Sequence, residues 1–176
     1  MTERKFKVII AGEPGAGKNL IAEAADLCYP FKHYGVSIGK KTKIVKPIEC
    51  NIVLMLWTLT TGRPKETTYL FGTDAAIIVS NLHDGKTVEK MPQWADSIRE
   101  HVGDVPLVFV GNGIEEENEE NAMRVKEIAD TYDSLFLFTQ WQDKSSVEEV
   151  FTEVAEILGY LALFNEILQS DRIRLR

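Results

Sequence analysis

Short apolar segments recur along the chain, and segments of helical periodicity separate them. This alternation predicts βα units arranged on a mostly parallel sheet. The apolar segments contain few polar residues, which is typical of strands covered by helices on both faces. The five predicted strands of this type are Phe6–Ala11, Ile52–Trp57, Ala75–Ser80, Leu107–Gly111 and Leu135–Phe138.

Apolar residues spaced three or four positions apart predict helices between these strands. Each such spacing places the apolar side chains on one helical face, which can pack against the sheet. The predicted faces extend from Ile21 to Cys28, from Val88 to Val102, from Ala122 to Tyr132 and from Val147 to Leu161.

A more polar strand is predicted over Lys41–Lys46. The connection from it to Ile52–Trp57 is too short for a crossover helix, so the two strands should pair antiparallel. The predicted fold class is therefore α/β, with a six-stranded, mostly parallel sheet, one antiparallel edge strand and helices on both faces. The basic cluster on the polar strand is interpreted as a solvated face rather than a nucleic-acid or membrane contact. Its members are Lys40, Lys41, Lys43 and Lys46.

Composition narrows the class of protein. A chain of 176 residues with 44% hydrophobic residues predicts a single domain over 1–176. The apolar pattern predicts that this domain includes an extended C-terminal helix at about 145–170. A net charge of −7 argues against a nucleic-acid partner. Two cysteines, Cys28 and Cys50, and three scattered histidines support neither a disulfide framework nor a zinc site.

The sequence shows no signal peptide, no apolar run of membrane-spanning length and no cysteine near Arg176. We therefore expect a cytoplasmic protein without a lipid anchor.

A glycine-rich segment joins the first predicted strand to the first predicted helix. It fits the pattern Gly-x4-Gly-Lys, whose backbone N–H groups and lysine bind phosphate in this strand-to-helix context. The alternative is a turn that binds nothing. The pattern usually ends in Ser or Thr, which ligates Mg²⁺, but here it ends in an amide, which is bulkier. The predicted phosphate-binding residues are Gly12, Gly15, Ala16, Gly17, Lys18, Asn19 and Leu20.

The segment Tyr34-Gly35-Val36-Ser37-Ile38-Gly39 resembles switch I of the Ras superfamily, in its Rab-like branch. The resemblance covers about residues 5–160 in the correct order. It includes Trp57 and four further segments, which are Tyr69–Gly72, Thr87–Trp94, Val108–Asn112 and Val147–Phe151. It implies a P-loop Ras-like G domain in which the Ser37 hydroxyl, with Asn19, contacts Mg²⁺.

The second switch departs from the family pattern. The family has Asp-x-x-Gly followed by Gln, whereas this chain reads Trp57-Thr58-Leu59-Thr60-Thr61-Gly62-Arg63. The missing Asp removes a contact to Mg²⁺, and Arg63 cannot orient the attacking water as Gln does. We expect weakened Mg²⁺ binding and, at most, slow GTP hydrolysis, with Lys18 and Arg63 as the groups that can contact the reacting phosphate.

The guanine motif is also altered, to Asn112-Gly113-Ile114-Glu115. The resemblance implies base contacts from Asn112 and Glu115 and from the loop that carries Gln140 and Trp141. Trp141 either stacks on the base or covers the edge of the core. Glu115 is either the carboxylate that recognises guanine or the first residue of the solvated acidic run 115–120.

Two functions remain open. The first is a GTP- or GDP-binding molecular switch with unidentified protein regulators or effectors. The second is a pseudo-GTPase scaffold that binds protein partners with little or no nucleotide. The last predicted helix continues past the expected core, and its apolar stripe either lies back over the core or docks a protein or a second copy. This stripe comprises Leu158, Leu161, Phe164 and Leu168.

Overall fold

The computed structural model describes residues 2–24, 31–33, 35–59, 67–140 and 142–174. The strands are β1 Thr2–Ala11, β2 Phe31–His33, β3 Val36–Val45, β4 Cys50–Leu59, β5 Ala75–Asn81, β6 Leu107–Asn112 and β7 Leu135–Thr139. The α-helices are α1 Lys18–Ala24, α2 Gly85–Glu89, α3 Met91–Val102, α4 Glu119–Thr131 and α5 Lys144–Arg174. Short 3₁₀ helices span Lys46–Ile48, Thr67–Leu70 and Glu116–Asn118.

The strands of these residues form one sheet in the order β2-β3-β4-β1-β5-β6-β7. The pairings between β4 and β7 are all parallel, and β3 runs antiparallel to β4. The α/β fold class and the six predicted strands are confirmed. The three-residue strand β2 adds a seventh and pairs antiparallel with β3, so β3 lies next to the edge. A strand this short carries no periodic pattern, which is why the sequence did not reveal it.

The core consists of two layers, one on each face of the sheet. In β1, Val8 and Ile10 face the layer that contains α1 and α5, whereas Ile9 and Ala11 face the layer of α2, α3 and α4. All four are fully buried. Because successive strand residues point to opposite faces, a strand with helices on both sides must be apolar at every position.

The predicted helix around Val88–Val102 is divided into α2 and α3 at Lys90. Pro92 lies in the first turn of α3, where its missing N–H and fixed φ are tolerated. Val88 and Met91 are both fully buried, so the apolar face continues across the break. No helix of the described residues is both long and apolar enough to cross a membrane.

Helix α5 packs closely on the β3–β4 hairpin. A Cβ atom at Gly159 would lie 2.8 Å from Cδ1 of Ile48 and 3.5 Å from Cδ1 of Ile52. The glycine therefore permits an approach that a larger residue would hinder, and the helix continues through it without a break.

The basic strand face is a correction to the sequence interpretation. Lys41 and Lys43 both point at α5, and their ammonium groups both bind the carboxylate of Glu148. Their side chains are only 14% and 17% exposed, so these two lysines are not solvated. Lys40 and Lys46 are exposed, as predicted. Sequence spacing placed the lysines on one strand, but only the packing of α5 could supply their partner.

This ion triad predicts a stability that depends on pH. Burial raises the pKa of Glu148, but the hydrogen bonds from Lys41 and Lys43 outweigh it, so the pKa lies below its usual value. A lowered carboxyl pKa stabilises the folded state above the unfolded pKa, and this contribution is lost as the pH falls through the folded pKa. We expect Glu148→Gln to lower the free energy of unfolding by about 1–2 kcal/mol at pH 7, measured by urea denaturation.

Glu149→Gln is the matched control, because Glu149 is the next residue of the same helix and is exposed. It should change the stability by less than about 0.5 kcal/mol. The difference between the Glu148 variant and the wild type should shrink as the pH falls below about 4.5. A difference that persists unchanged at low pH would show that the triad is not its source.

Candidate functional site

The predicted site residues lie at one edge of the sheet. Strands β1, β4, β6 and β7 are parallel and end at Ala11, Leu59, Asn112 and Thr139. Ligands in open α/β sheets bind at this carboxyl edge, where successive loops converge. The phosphate loop and the two predicted base loops are therefore brought together by the strand order.

The phosphate loop leaves β1 at Gly12 and enters α1 at Lys18. Gly12 has φ 146°, and a Cβ there would lie 2.2 Å from the carbonyl oxygen of Val79 in β5, so only glycine fits. Ala16 is fully buried in the core layer below α1. Core packing therefore fixes the loop at both of these positions.

Lys18 bends back across the loop. Its Nζ donates hydrogen bonds to the carbonyl oxygens of Gly12, at 2.6 Å, and Glu13, at 2.9 Å. The residue is only 5% exposed. Burial lowers the pKa of Lys18 to about 8, partly opposed by the Glu13 carboxylate. The loop thus holds a poorly solvated ammonium group, whose charge a phosphate would stabilise.

The Glu13 side chain is directed towards α3, a contact that sequence reasoning missed. Its Oε1 accepts a hydrogen bond of 3.0 Å from the indole N–H of Trp94, which is 4% exposed. The phosphate loop is therefore connected to the helix layer on the other face of the sheet.

The segment after switch II is fixed by Lys7, another residue that the sequence did not single out. Its Nζ donates to the carbonyl oxygens of Tyr69, at 2.5 Å, and Phe71, at 2.8 Å, and lies 4.1 Å from the ring centroid of Trp57. Burial lowers the pKa of Lys7, opposed by Asp74. These contacts hold the end of the segment against β1 and β4.

The two predicted base loops, which follow β6 and β7, are hydrogen-bonded to each other. Asn112 is 2% exposed, and its Oδ1 accepts a hydrogen bond of 3.0 Å from the hydroxyl of Thr139. The Thr139 carbonyl in turn accepts from the N–H groups of Gly113, at 2.7 Å, and Ile114, at 3.3 Å. Asn112 therefore acts first as a structural tie between the ends of β6 and β7.

Asn118 positions the loop that carries Glu115. Its amide nitrogen donates to the Gly113 carbonyl at 2.7 Å, and its Oδ1 accepts from the Glu115 N–H at 3.0 Å. The Glu115 carboxylate accepts from the Asn118 N–H, which completes a capping box. Its Oε1 lies 3.7 Å from Nε2 of His83, and the side chain is 55% exposed. Sequence reasoning missed this role of Asn118. The signal that could have revealed it is that Asn118 interrupts the acidic run 115–120.

A cavity of about 260 Å³ opens between these loops. Its lining residues are Gly113, Ile114, Glu115, Gln140 and Gln142. The Gln140 amide donates to the Ile114 carbonyl at 3.2 Å. A second, smaller recess beside it is lined in part by Leu20, Asn112 and Gln140, so the helix after the phosphate loop reaches the base loops.

The predicted metal ligands are neutral oxygen donors. Ser37 in β3 is the register partner of Thr58 in β4, and opposite residues of an antiparallel pair point to one face. That face carries Leu54, Leu56 and the residues below α1. Thr58 is 1% exposed, and its buried hydroxyl has no hydrogen-bond partner among the described residues. Asn19 is exposed at the start of α1.

The donor set determines how these positions fit Mg²⁺. Within the described ranges, no group of three or more His, Cys, Asp or Glu side chains is arranged to hold a metal. Mg²⁺ prefers carboxylate and phosphate oxygens. Neutral oxygens could complete the coordination of a cation that the nucleotide phosphates bring, but they do not fit a site that binds the free ion. Arg63 and Trp141 lie outside the described residues.

The sequence model of the Ras family matches residues 7–159. Ras-related protein Rab-11B of Dictyostelium discoideum is 26% identical, over 94% of this chain and 79% of that protein. Ras-related protein RabF1 of the same organism is 25% identical, over 88% and 85%. Human Ras-related protein Rab-30 is 26% identical, over 85% of this chain and 78% of its own length.

The matched residues 7–159 include the phosphate loop and the base loops described above. The chain therefore belongs to the Ras family and is a Rab-like, small GTPase-type nucleotide-binding protein.

Proposed function

We propose that this protein binds GDP and GTP with little dependence on Mg²⁺, hydrolyses GTP slowly or not at all by itself, and acts as a switch through protein regulators or effectors. The observation that carries the proposal is the combination of an intact phosphate loop with neutral oxygens in place of the metal-binding carboxylate. The glycines and Lys18 that bind phosphate are retained, whereas the changes fall on the metal-binding positions, at Asn19 and at the missing carboxylate.

The phosphate half of the proposal is supported by Lys18 and by Gly12. The ammonium group is buried, and among the described residues its hydrogen-bond partners are neutral carbonyls, which are weaker partners than a phosphate oxygen. Gly12, in a conformation closed to other residues, places the loop backbone at the end of β1. A nucleotide phosphate would therefore enter a site that is already shaped and positively charged.

The base half is supported by the cavity that Glu115 and Gln140 line. A carboxylate that accepts two hydrogen bonds from guanine selects it over adenine. Glu115 already accepts from the Asn118 N–H, but its side chain is more than half exposed. We infer weaker selection for guanine than an unengaged Asp would provide.

Thr58 supports the part of the proposal that concerns weak dependence on Mg²⁺. Its buried hydroxyl lies beside Ser37, on the face of the sheet below α1. If Mg²⁺ enters with the nucleotide, Asn19, Ser37 and Thr58 are the residues that would face it. It would supply charge neutralisation to the phosphates, while the protein would contribute no anionic ligand from these positions.

A pseudo-GTPase scaffold is the second candidate, and one observation favours it. The side chains expected to read the base already make hydrogen bonds within the protein, because Asn112 is bonded to Thr139 and Glu115 to Asn118. Hydrogen bonds of this kind are compatible with a purely structural role of the loop. Titration with fluorescent GDP, GTP and ATP separates the two candidates, since absence of binding up to about 1 mM would leave only the scaffold.

Lys18→Met should weaken GDP and GTP binding about 10- to 100-fold, because it removes a charge-assisted contact while keeping the apolar stem. Wild-type affinity should fall as the pH rises above about 8, where the free protein loses the Lys18 proton that the phosphate complex retains. The measurement is the dissociation constant by fluorescence anisotropy between pH 7 and 10.

The exposed Lys126→Met is the matched control and should bind as the wild type does. The Lys18 variant should also lose the part of the fall in affinity above about pH 8 that deprotonation of Lys18 causes. Any effect of ionisation of the guanine base would persist in this variant. Equal affinity of the Lys18 variant and the wild type would place the phosphates elsewhere.

Thr58→Asp should restore a dependence on Mg²⁺. In the wild type, replacing Mg²⁺ by EDTA should change nucleotide affinity by less than about tenfold, and the new carboxylate should raise that ratio by about another tenfold. Nucleotide dissociation rates with and without Mg²⁺ give the measurement. Thr42→Asp, on an exposed position of β3, is the control. A strong Mg²⁺ effect in the wild type would refute the proposed weakness of the metal site.

Single-turnover GTP hydrolysis should be slower than about 10⁻⁴ s⁻¹, because no Gln orients water and no carboxylate holds the metal. Arg63→Gln by itself should not accelerate it, since the metal site is unchanged. Phosphate release from preloaded protein provides the rate, and Arg63→Ala is the reference variant. A large gain with Gln but not with Ala would show that water positioning was the only defect.

A further inference from the structure

The end of α5 carries an apolar stripe that the domain does not cover. Leu158 is buried, but from residue 160 onward the large apolar side chains are exposed. The alternative in which the stripe lies back over the core is therefore wrong beyond Leu158. The exposed stripe consists of Tyr160, Leu161, Phe164, Ile167 and Leu168, which are 44%, 42%, 57%, 51% and 45% exposed.

The opposite side of the helix is attached to the protein's own sheet. Arg4 of β1 forms a salt bridge of 2.6 Å with Glu166. Residues 164 and 166 are two positions apart and lie about 200° apart around the helix axis. Because Glu166 faces β1, Phe164 and the rest of the stripe face away from it. The stripe itself contains no charged residue.

The stripe continues into a cavity of about 620 Å³ at the amino-terminal ends of β6 and β7, opposite the nucleotide edge. Leu161 lines this cavity, and other apolar walls are provided by Val105, Pro106 and Leu135. The uncovered surface is therefore a helix face with an adjoining recess.

The spacing of the stripe suits a second copy of the same chain. Around Phe164 the apolar positions are symmetric, with Leu161 and Ile167 three residues away on either side and Tyr160 and Leu168 four residues away. In an antiparallel pair of helices related by a two-fold axis at Phe164, residue 164 + n meets residue 164 − n of the other copy. Every such pair in the stripe is apolar.

The area is sufficient for such a pair. Side chains exposed to this degree contribute about 100 Å² each, so the stripe offers about 500 Å² per copy and about 1,000 Å² in total, the lower bound of a stable interface. The recess beside Leu161 adds to it. A lipid surface fits the stripe less well, because interfacial helices carry Lys and Arg on the polar face. Here Asn165, Glu166 and Gln169 occupy that face along the stripe, and the basic residues Arg172 and Arg174 follow only beyond Leu168.

We propose that the protein forms a two-fold symmetric dimer through the α5 stripe, with the two helices antiparallel and crossing at Phe164. The interface lies at the end of the sheet opposite the nucleotide site, so the dimer leaves that site accessible. The proposal is independent of whether nucleotide is bound.

Sedimentation equilibrium or light scattering over about 1–500 µM tests the dimer. The wild type should approach twice the monomer mass of 19.9 kDa, with a dissociation constant in the micromolar range. Phe164→Glu should remain monomeric and retain the helical circular dichroism of the wild type. Phe71→Glu is the matched control, because Phe71 is 62% exposed outside the stripe, and it should dimerise normally.

Cysteine crosslinking with a short bismaleimide tests the geometry. Phe164→Cys should crosslink to itself, and a mixture of Tyr160→Cys with Leu168→Cys should crosslink more than either alone. Efficient self-crosslinking of Tyr160→Cys would indicate parallel helices and overturn the proposed arrangement. A wild-type protein that stays monomeric at all concentrations would overturn the dimer. If this monomer also sediments with vesicles of phosphatidylcholine and phosphatidylserine, a lipid surface would be the occupant of the stripe instead.

Discussion

The structure depends on the burial of β1. Residues Val8–Ala11 are fully buried, and the strand is paired on both edges, to β4 on one side and β5 on the other. A strand confined in this way ends at a fixed point, so the loop after it begins at a fixed point as well. Gly12 then passes against the Val79 carbonyl of β5, where no side chain fits. The position of the phosphate loop is therefore a consequence of core packing.

Charge is distributed differently in the two halves of the site. The phosphate loop contains a buried lysine, which neutral carbonyls and the nearby Glu13 compensate within the described part of the chain. The side proposed to face the metal presents the hydroxyl-bearing residues Ser37 and Thr58 on paired strands. A buried hydroxyl without a partner is unfavourable, although far less so than a buried carboxylate without its cation. A chain with Thr58 at this position can fold without Mg²⁺ at a lower electrostatic cost than a chain with Asp.

The two ends of the sheet differ in structure. At the carboxyl edge, Asn112, Asn118 and Thr139 close the base loops by hydrogen bonds within the protein. At the other end, α5 extends beyond the strands, with Arg4 and Glu166 joining its inner side to β1. The inner side of the helix thus contacts the domain, while its apolar stripe remains exposed. An interface there would be separated from the nucleotide site by the whole length of the parallel strands.

The sequence by itself determined the parallel sheet, the phosphate loop and the order of the motifs. These features are local, because a doubly covered strand is apolar at every residue and Gly-x4-Gly-Lys needs only a strand before it and a helix after it. The tertiary structure alone decided which partners meet across the chain. Glu148 binds Lys41 and Lys43 from more than 100 positions away, Trp94 reaches Glu13, and Thr58 meets Ser37. No periodicity records such pairs, since each depends on how separate helices and strands pack together. The exposure of the α5 stripe was decided in the same way, because the same apolar spacing suits a buried helix and a docking helix equally.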